Sequence, residues 1–314
     1  MNILVTGGTG LLGGRISAYL KYNENYKIFI GVRQLDKNLY CNSNSEYVLM
    51  NWNSREQLEE VCKGIDLIIH CAGMNAKDCA SNPSEAFLFN AVSTGFLLES
   101  AIKMKVKKII YISTAHVYAT HLKGIITEDT NPTNFHPYAS SHKAAEDLIR
   151  YFSLQGKIEG VIVRLSNAYG FPVNKDVSCW TLLVNDLCKQ AVISNKLTLR
   201  SNGMQRRDFV SIMDVCRAIE HIISIELQIE KNIINIGAGW SPTVWEMSLI
   251  IQERCKEVLG FEPELIRIQP GENEISEELE FNIKYLLSTG FQLGKNNIQE
   301  IDELLKFCKN NFIK

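Results

Sequence analysis

"NILVTGGTGLLGGRISAYL", residues 2–20, decides the fold. Its first residues are apolar or β-favouring without alternation, as in a strand buried on both faces of a parallel sheet. Gly7, Gly10 and Gly13 then fall at G-x-x-G-x-x-G spacing. Glycine at such positions permits a tight turn and close packing of a helix on the strand it follows. A strand, a tight turn and a helix make the first half of a βαβ unit.

The rhythm continues outward from that stretch. "NILVTG" (2–7), "YKIFIGV" (26–32), "EYVLM" (46–50), "DLIIHCA" (66–72), "KKIIYIS" (107–113) and "GVIVRLS" (160–166) all read as buried strands. Helices are expected at 11–22, 54–63, 83–104 and 137–153. In the last of these, Ala145, Leu148, Ile149 and Phe152 recur at helical spacing and Pro137 suits the first turn. Strand and helix alternating in this way predict an α/β fold, a doubly wound parallel sheet of the Rossmann kind. After residue 166 the rhythm changes, with helices expected at 178–193, near 243–259 and from about 297. The expected division is a nucleotide-binding domain over 1–166, completed by about 208–236, and a smaller substrate-binding region over 167–207 and 237–314.

Bulk properties narrow the function. The 314 residues are 46% hydrophobic and 22% charged, with a net charge of −2. That balance gives no electrostatic case for nucleic acid or an anionic membrane. Nine cysteines, an odd number without a Cys-x-x-Cys pair, read as free thiols of a reducing compartment. No apolar run reaches the roughly 20 residues that span a bilayer. The opening "MNILVTGG" reads as a strand rather than a leader, so the expectation is a soluble cytoplasmic protein. No metal site is expected.

Three motifs carry chemistry. Free N–H groups at the start of the first helix, behind the glycine turn, suit a pyrophosphate. At the end of the second strand, "IGVRQLDKN" offers Arg33 where a carboxylate for ribose hydroxyls would stand. A guanidinium matches a 2′-phosphate, so NADP is the expected cofactor, with NAD the alternative if Asp36 turns in. "YISTAHVYAT" (111–120) ends the fifth strand with hydroxyls, at the edge where open α/β sheets bind ligands.

"TGGTGLLG", "DLIIHCAG", Asn90 in "FNAVSTG", "YISTAHVYA", "PYASSHKAAE", "VRLSNAYG", "RRDFVSIMDV" and "NIGAGWSPT" follow one another in order. This ordered set, over nearly the whole chain, resembles an extended short-chain dehydrogenase/reductase of the nucleotide-sugar epimerase, dehydratase and reductase type. The resemblance implies a nicotinamide cofactor and a Ser/Thr–Tyr–Lys site, carried here by Thr114 and Tyr138. It implies cofactor contacts from Gly7, Gly10, Leu11, Leu12 and Gly13. Arg33, Ala72, Gly73 and Asn90 belong to the same expected set, as do Tyr138 and the residue one turn beyond it. His116, Asn167 and Arg207 are expected at the nucleotide-sugar, and a homodimer is the expected assembly.

Three departures from the pattern stand out. Ala115 and His116 replace the acid pair of the family's dehydratases, which disfavours water elimination. Gln269 stands where an arginine often precedes "PGD". In "HPYASSHKAAEDL" (136–148) the lysine is displaced. At about 100° per residue, His142 lies about 40° around a helix from Tyr138 and Lys143 about 140° away. His142 is therefore the expected substitute, able to bond a ribose but cationic only as imidazolium. The leading functional expectation is a reductase of a nucleotide-activated keto-sugar. An epimerase retaining its cofactor is the alternative within enzymes. A binding protein that has lost the chemistry is the alternative outside them.

Overall fold

A computed structural model describes residues 1–35, 44–271, 276–294 and 296–313; Asp36 lies outside them. In chain order the first elements are β1 (Asn2–Thr6), α1 (Leu11–Leu20), β2 (Lys27–Val32), β3 (Ser45–Leu49), α2 (Arg55–Cys62) and β4 (Leu67–His70). Next come α3 (Ala76–Ser81), α4 (Pro83–Phe87), α5 (Ser93–Lys103), β5 (Lys108–Thr114), β6 (Gly124–Ile126), α6 (Pro137–Leu154) and β7 (Glu159–Leu165). The chain continues with β8 (Asn167–Tyr169), α7 (Leu183–Ser194), β9 (Lys196–Thr198), β10 (Phe209–Ser211), α8 (Ile212–Ser224) and β11 (Ile233–Ile236). It ends with α9 (Val244–Leu259), β12 (Glu264–Ile266), β13 (Leu279–Phe281), α10 (Lys284–Ser288) and α11 (Asn297–Phe312).

Seven strands form one sheet in the order β11-β7-β5-β4-β1-β2-β3. The order reverses between β1 and β4, the switch point where such sheets bind ligands. Pairing is parallel, and its register sets Thr6 beside His70 and His70 beside Tyr111. Three polar residues thus form one row across the sheet, close to the carboxyl ends of β1 and β4.

The chain divides into two compact units. The first comprises Met1–Thr120, Asp129–Leu165 and Ile219–Ile234, and the second His121–Glu128, Ser166–Ala218 and Asn235–Lys314. In the first, Leu4, Ile68, Ile109 and Ile162 of the sheet meet Leu58, Leu97, Ala101 and Ile149 of the helices. Each of these leucines and isoleucines contributes on the order of 1.5–3 kcal/mol by leaving water. The second unit has its own core, where α7, α9 and α11 bury Leu187, Met247, Ile251, Leu304 and Leu305. Its three short parallel pairs are β8 with β10, β9 with β12, and β6 with β13.

The helix expected over 83–104 is interrupted. A π-helical turn, Leu88–Val92, separates α4 from α5 and carries Asn90. Such turns insert one residue and re-aim the side chains around it. A further short helix, α3, is capped by Asn75, whose side chain accepts from the Asp78 N–H. The helix expected from 178 begins at Leu183.

Candidate active site

The glycine turn has the shape its spacing implies. Gly7 adopts φ +66°, and a Cβ there would lie 2.9 Å from the Ala72 nitrogen. A Cβ on Gly13 would lie 2.4 Å from the Gly7 carbonyl oxygen, a clash no side chain can relieve. Gly10 is the N-cap of α1 and supplies no side-chain cap, so Leu11 and Leu12 open the helix with their N–H groups uncovered by side chains. The first turn carries no acid. This arrangement fits the pyrophosphate of a dinucleotide.

Behind Ala72 lies a closed set of hydrogen bonds. Thr94 donates its hydroxyl proton to the Asn90 carbonyl at 2.6 Å, so its oxygen accepts from His70 Nε2 at 2.9 Å. His70 Nδ1 then accepts the Thr6 hydroxyl at 2.6 Å, and the Thr6 oxygen takes the N–H groups of Cys71 and Ala72. Burial and the neighbouring His142 push His70 down to about 3, so it remains neutral. Asn90 is wholly enclosed and also committed. Its Oδ1 accepts the Met74 N–H at 2.8 Å and its Nδ2 donates to Ser141 Oγ at 2.9 Å. Within the site Asn90 therefore holds the 72–74 loop in place.

The catalytic candidates converge on the next turn. Pro137 opens α6, and the His136 ring accepts the Tyr138 N–H at 3.2 Å. Ser113 is spent on Glu146 at 2.6 Å, whereas the Thr114 hydroxyl accepts the His116 N–H at 3.1 Å and lies near the Tyr138 phenol. Burial raises Tyr138 above its ordinary value, and Thr114 opposes that rise. His142 meets the Tyr138 ring edge-on, with centroids 4.6 Å apart. Its Nδ1 lies 2.6 Å from the Tyr111 hydroxyl, and burial lowers the imidazole to about 4. A Cβ on exposed Gly73 would come within 3.8 Å of His142 Nε2, so glycine keeps that approach open. Lys143 instead pairs with Asp147 one turn along α6.

Arg33 follows β2 and is exposed, and His116 is exposed in the turn after Thr114. In the second unit, the pairing of β8 with β10 brings Asn167 beside Asp208, whose carbonyl accepts the Asn167 Nδ2 at 2.9 Å. Arg207 donates to Gln205 Oε1 at 3.0 Å, and among the described residues no carboxylate pairs with it. Asp208 instead accepts from Ser166, Ala238 and Gly239. Gln269 is exposed, and Arg267 lies 3.8 Å over the Trp245 ring. Two residues quoted in the motifs but not singled out, His70 and Tyr111, prove central. Their signal was a polar ring inside an otherwise apolar strand, which must find a partner.

Comparison with known proteins gives the family and the fold. The sequence profile of the NAD dependent epimerase/dehydratase family matches residues 3–237, and the chain belongs to that family. It is 27% identical to a putative UDP-glucose 4-epimerase of Methanocaldococcus jannaschii, over 98% of this chain and 99% of that protein. It is 30% identical to a dTDP-D-glucose 4,6-dehydratase of Dictyostelium discoideum, over 76% of this chain but only 58% of that protein. The fold matches the UDP-glucuronic acid 4-epimerase of Bacillus cereus, solved with UDP-glucuronic acid and NAD. There the TM-score is 0.83 at 22% identity, covering 99% of this chain and all of that one. Among the described residues no helix is long and apolar enough to cross a membrane.

Proposed function

We propose that the protein reduces a nucleotide-activated keto-sugar with a nicotinamide cofactor. The observation that carries this reading is an acid without a cation. Tyr138 stands between the Thr114 hydroxyl and a neutral His142, and burial holds its proton in place. The nicotinamide, when bound, supplies the hydride. The protonated phenol gives its proton to the sugar carbonyl oxygen, and the nearby Thr114 hydroxyl is placed to steady the charge left there. Drawing a proton from a sugar alcohol, as an epimerase must first do, needs the tyrosinate, which this site disfavours. Dehydration lacks its acid and base, since buried Ala115 and exposed His116 occupy those places.

Arg207 supports a diphosphate ligand, because its partly buried guanidinium has an amide partner rather than a carboxylate. In the same unit Asn167 joins Arg207 as a proposed substrate residue, and His116 is the one proposed in the first unit. Gly7, Gly10, Leu11, Leu12, Gly13, Ala72 and Gly73 line the proposed dinucleotide site. Arg33 favours NADP within a family described by its NAD dependence. In this reading the protein acts in the cytoplasm as a homodimer, and its eight described cysteines are free thiols.

The second reading, a nucleotide-sugar epimerase, rests on the full-length similarity to the Methanocaldococcus protein. Two measurements separate them. Ligands released from the purified protein are identified by mass spectrometry. UDP- and dTDP-linked keto-sugars are then followed by nicotinamide absorbance. The reductase consumes reduced cofactor in proportion to product. Retained NAD, with hexoses interconverting and no net change in absorbance, would establish the epimerase. Binding without either reaction would mean that the chemistry has been lost.

A further inference from the structure

We propose that Tyr111 is a positioning residue: its phenol donates to His142 Nδ1, locks the imidazole as the Nε2–H tautomer, and aims one neutral donor at the bound cofactor's ribose. The inference rests on the nicotinamide-binding reading of the site. The resemblance alone points to a lysine or its substitute; the tautomer and its cause come from the packing of β5 against α6.

Tyr111 is 1% exposed, and its hydroxyl lies 2.6 Å from His142 Nδ1. Among the described residues that hydroxyl has no other hydrogen-bond partner. A phenol carries one proton, and a buried O–H left without an acceptor forfeits the bond and its hydration together. Neighbouring acceptors are already spent. His70, tilted against the Tyr111 ring with centroids 5.6 Å apart, has Nδ1 on Thr6 and Nε2 on Thr94. Glu146 holds Ser113 and the Arg164 guanidinium, which it takes at 3.1 and 2.7 Å. The Tyr111 proton therefore goes to His142 Nδ1, and the imidazole carries its own proton on Nε2.

The direction of that second proton follows from the ring's placement. Tyr111 occupies one edge of His142, and the Nε2 edge faces the place where Gly73 lacks a side chain. Among the described residues Nε2 has no protein partner. Burial keeps the imidazole neutral and keeps the Tyr111 phenol well above its ordinary value, so both groups retain the stated protons. A lysine would bring a mobile charge to this place. The Tyr111–His142 pair instead brings a fixed dipole, which leaves Tyr138 without a cation.

The test uses the full chain, 15N-labelled at histidine and free of ligand, at neutral pH. The expected spectrum shows His142 with an acceptor-type Nδ1 and a protonated Nε2. Tyr111→Phe keeps the ring and removes the hydroxyl. It should give a mixture of tautomers and weaken NADH binding by about five- to tenfold, the scale of one hydrogen bond. A wild-type His142 protonated on Nδ1 would overturn the proposal. So would a Tyr111→Phe protein that keeps both the tautomer and its NADH affinity. The wild-type spectrum exposes the proposal to refutation even if the variant fails to fold. Neither readout uses a sugar, so an intact Nε2–H tautomer with no keto-sugar turned over would sink the reductase reading alone.

Discussion

Tyr138 and His142 sit one turn apart on α6, and their roles separate under substitution. Tyr138→Phe removes the acid and should lower kcat by about 10²–10⁴ while leaving cofactor affinity nearly unchanged. His142→Ala should weaken both, whereas Lys143→Ala, which breaks only an ion pair with Asp147 on the outer side of α6, should change neither. Steady-state kinetics with direct cofactor titration decide among these outcomes. A severe loss from Lys143→Ala with His142→Ala silent would mean that the site uses the other register. At Arg33 the question is charge. A solvent-facing guanidinium after β2 should favour NADPH, and Arg33→Asp should reverse the preference. Equal affinity of the unaltered protein for NADH and NADPH would remove that role.

At the scale of elements, α6 is riveted to the sheet by charge. Glu146 on α6 accepts from Arg164 on β7 and from Ser113 on β5, with both charged side chains buried. The Arg164 guanidinium also lies 4.7 Å over the Tyr118 ring. Removing one partner strands the other charge out of water. Glu146→Ala should therefore cost about 3–5 kcal/mol in denaturant unfolding. It should also lower kcat, because the same helix carries Tyr138 and His142. A loss under about 1 kcal/mol would place the pair's energy near that of a surface ion pair. The sequence shows α6 clearly, through its apolar spacing and Pro137. It does not show the π turn at Leu88–Val92, because the pull on Asn90 comes from Met74 and Ser141, distant in the chain.

For the whole molecule, buried histidines set the response to acid. His70 and His142 stand at about 3 and about 4 when folded, below the roughly 6.5 of an unfolded chain. Their stabilisation is complete above about pH 6.5 and is lost as pH falls toward those folded values, since the unfolded chain takes up protons first. Each contributes a slope of about 1.4 kcal/mol per pH unit. Asp208 works in the opposite sense. Burial raises it to about 6, so between about pH 6 and 4 the folded state gains a proton before the unfolded one. Two histidines against one aspartate leave a net loss of about 1.4 kcal/mol per pH unit as pH falls through that window. Urea unfolding at pH 6, 5 and 4 measures it, and a flat profile would contradict the burial assigned to these rings.

The sequence by itself determined the βαβ order, the Gly7–Gly10–Gly13 turn and which of His142 and Lys143 lies beside Tyr138 on α6. These follow from local rules, since strand burial, glycine spacing and helical periodicity act within a few residues of one another. The assignment of Thr114 needed the family resemblance, because "ST" after a strand is locally ambiguous. Tertiary structure alone decided that Ser113 serves Glu146 while Thr114 caps the turn at His116. It also decided that Asn90 braces a loop and that Tyr111 stands behind His142. Those outcomes depend on which strand lies beside which and in what register. Buried polar atoms must find partners, and the parallel alignment of β1, β4 and β5 determines which partners Thr6, His70 and Tyr111 can reach.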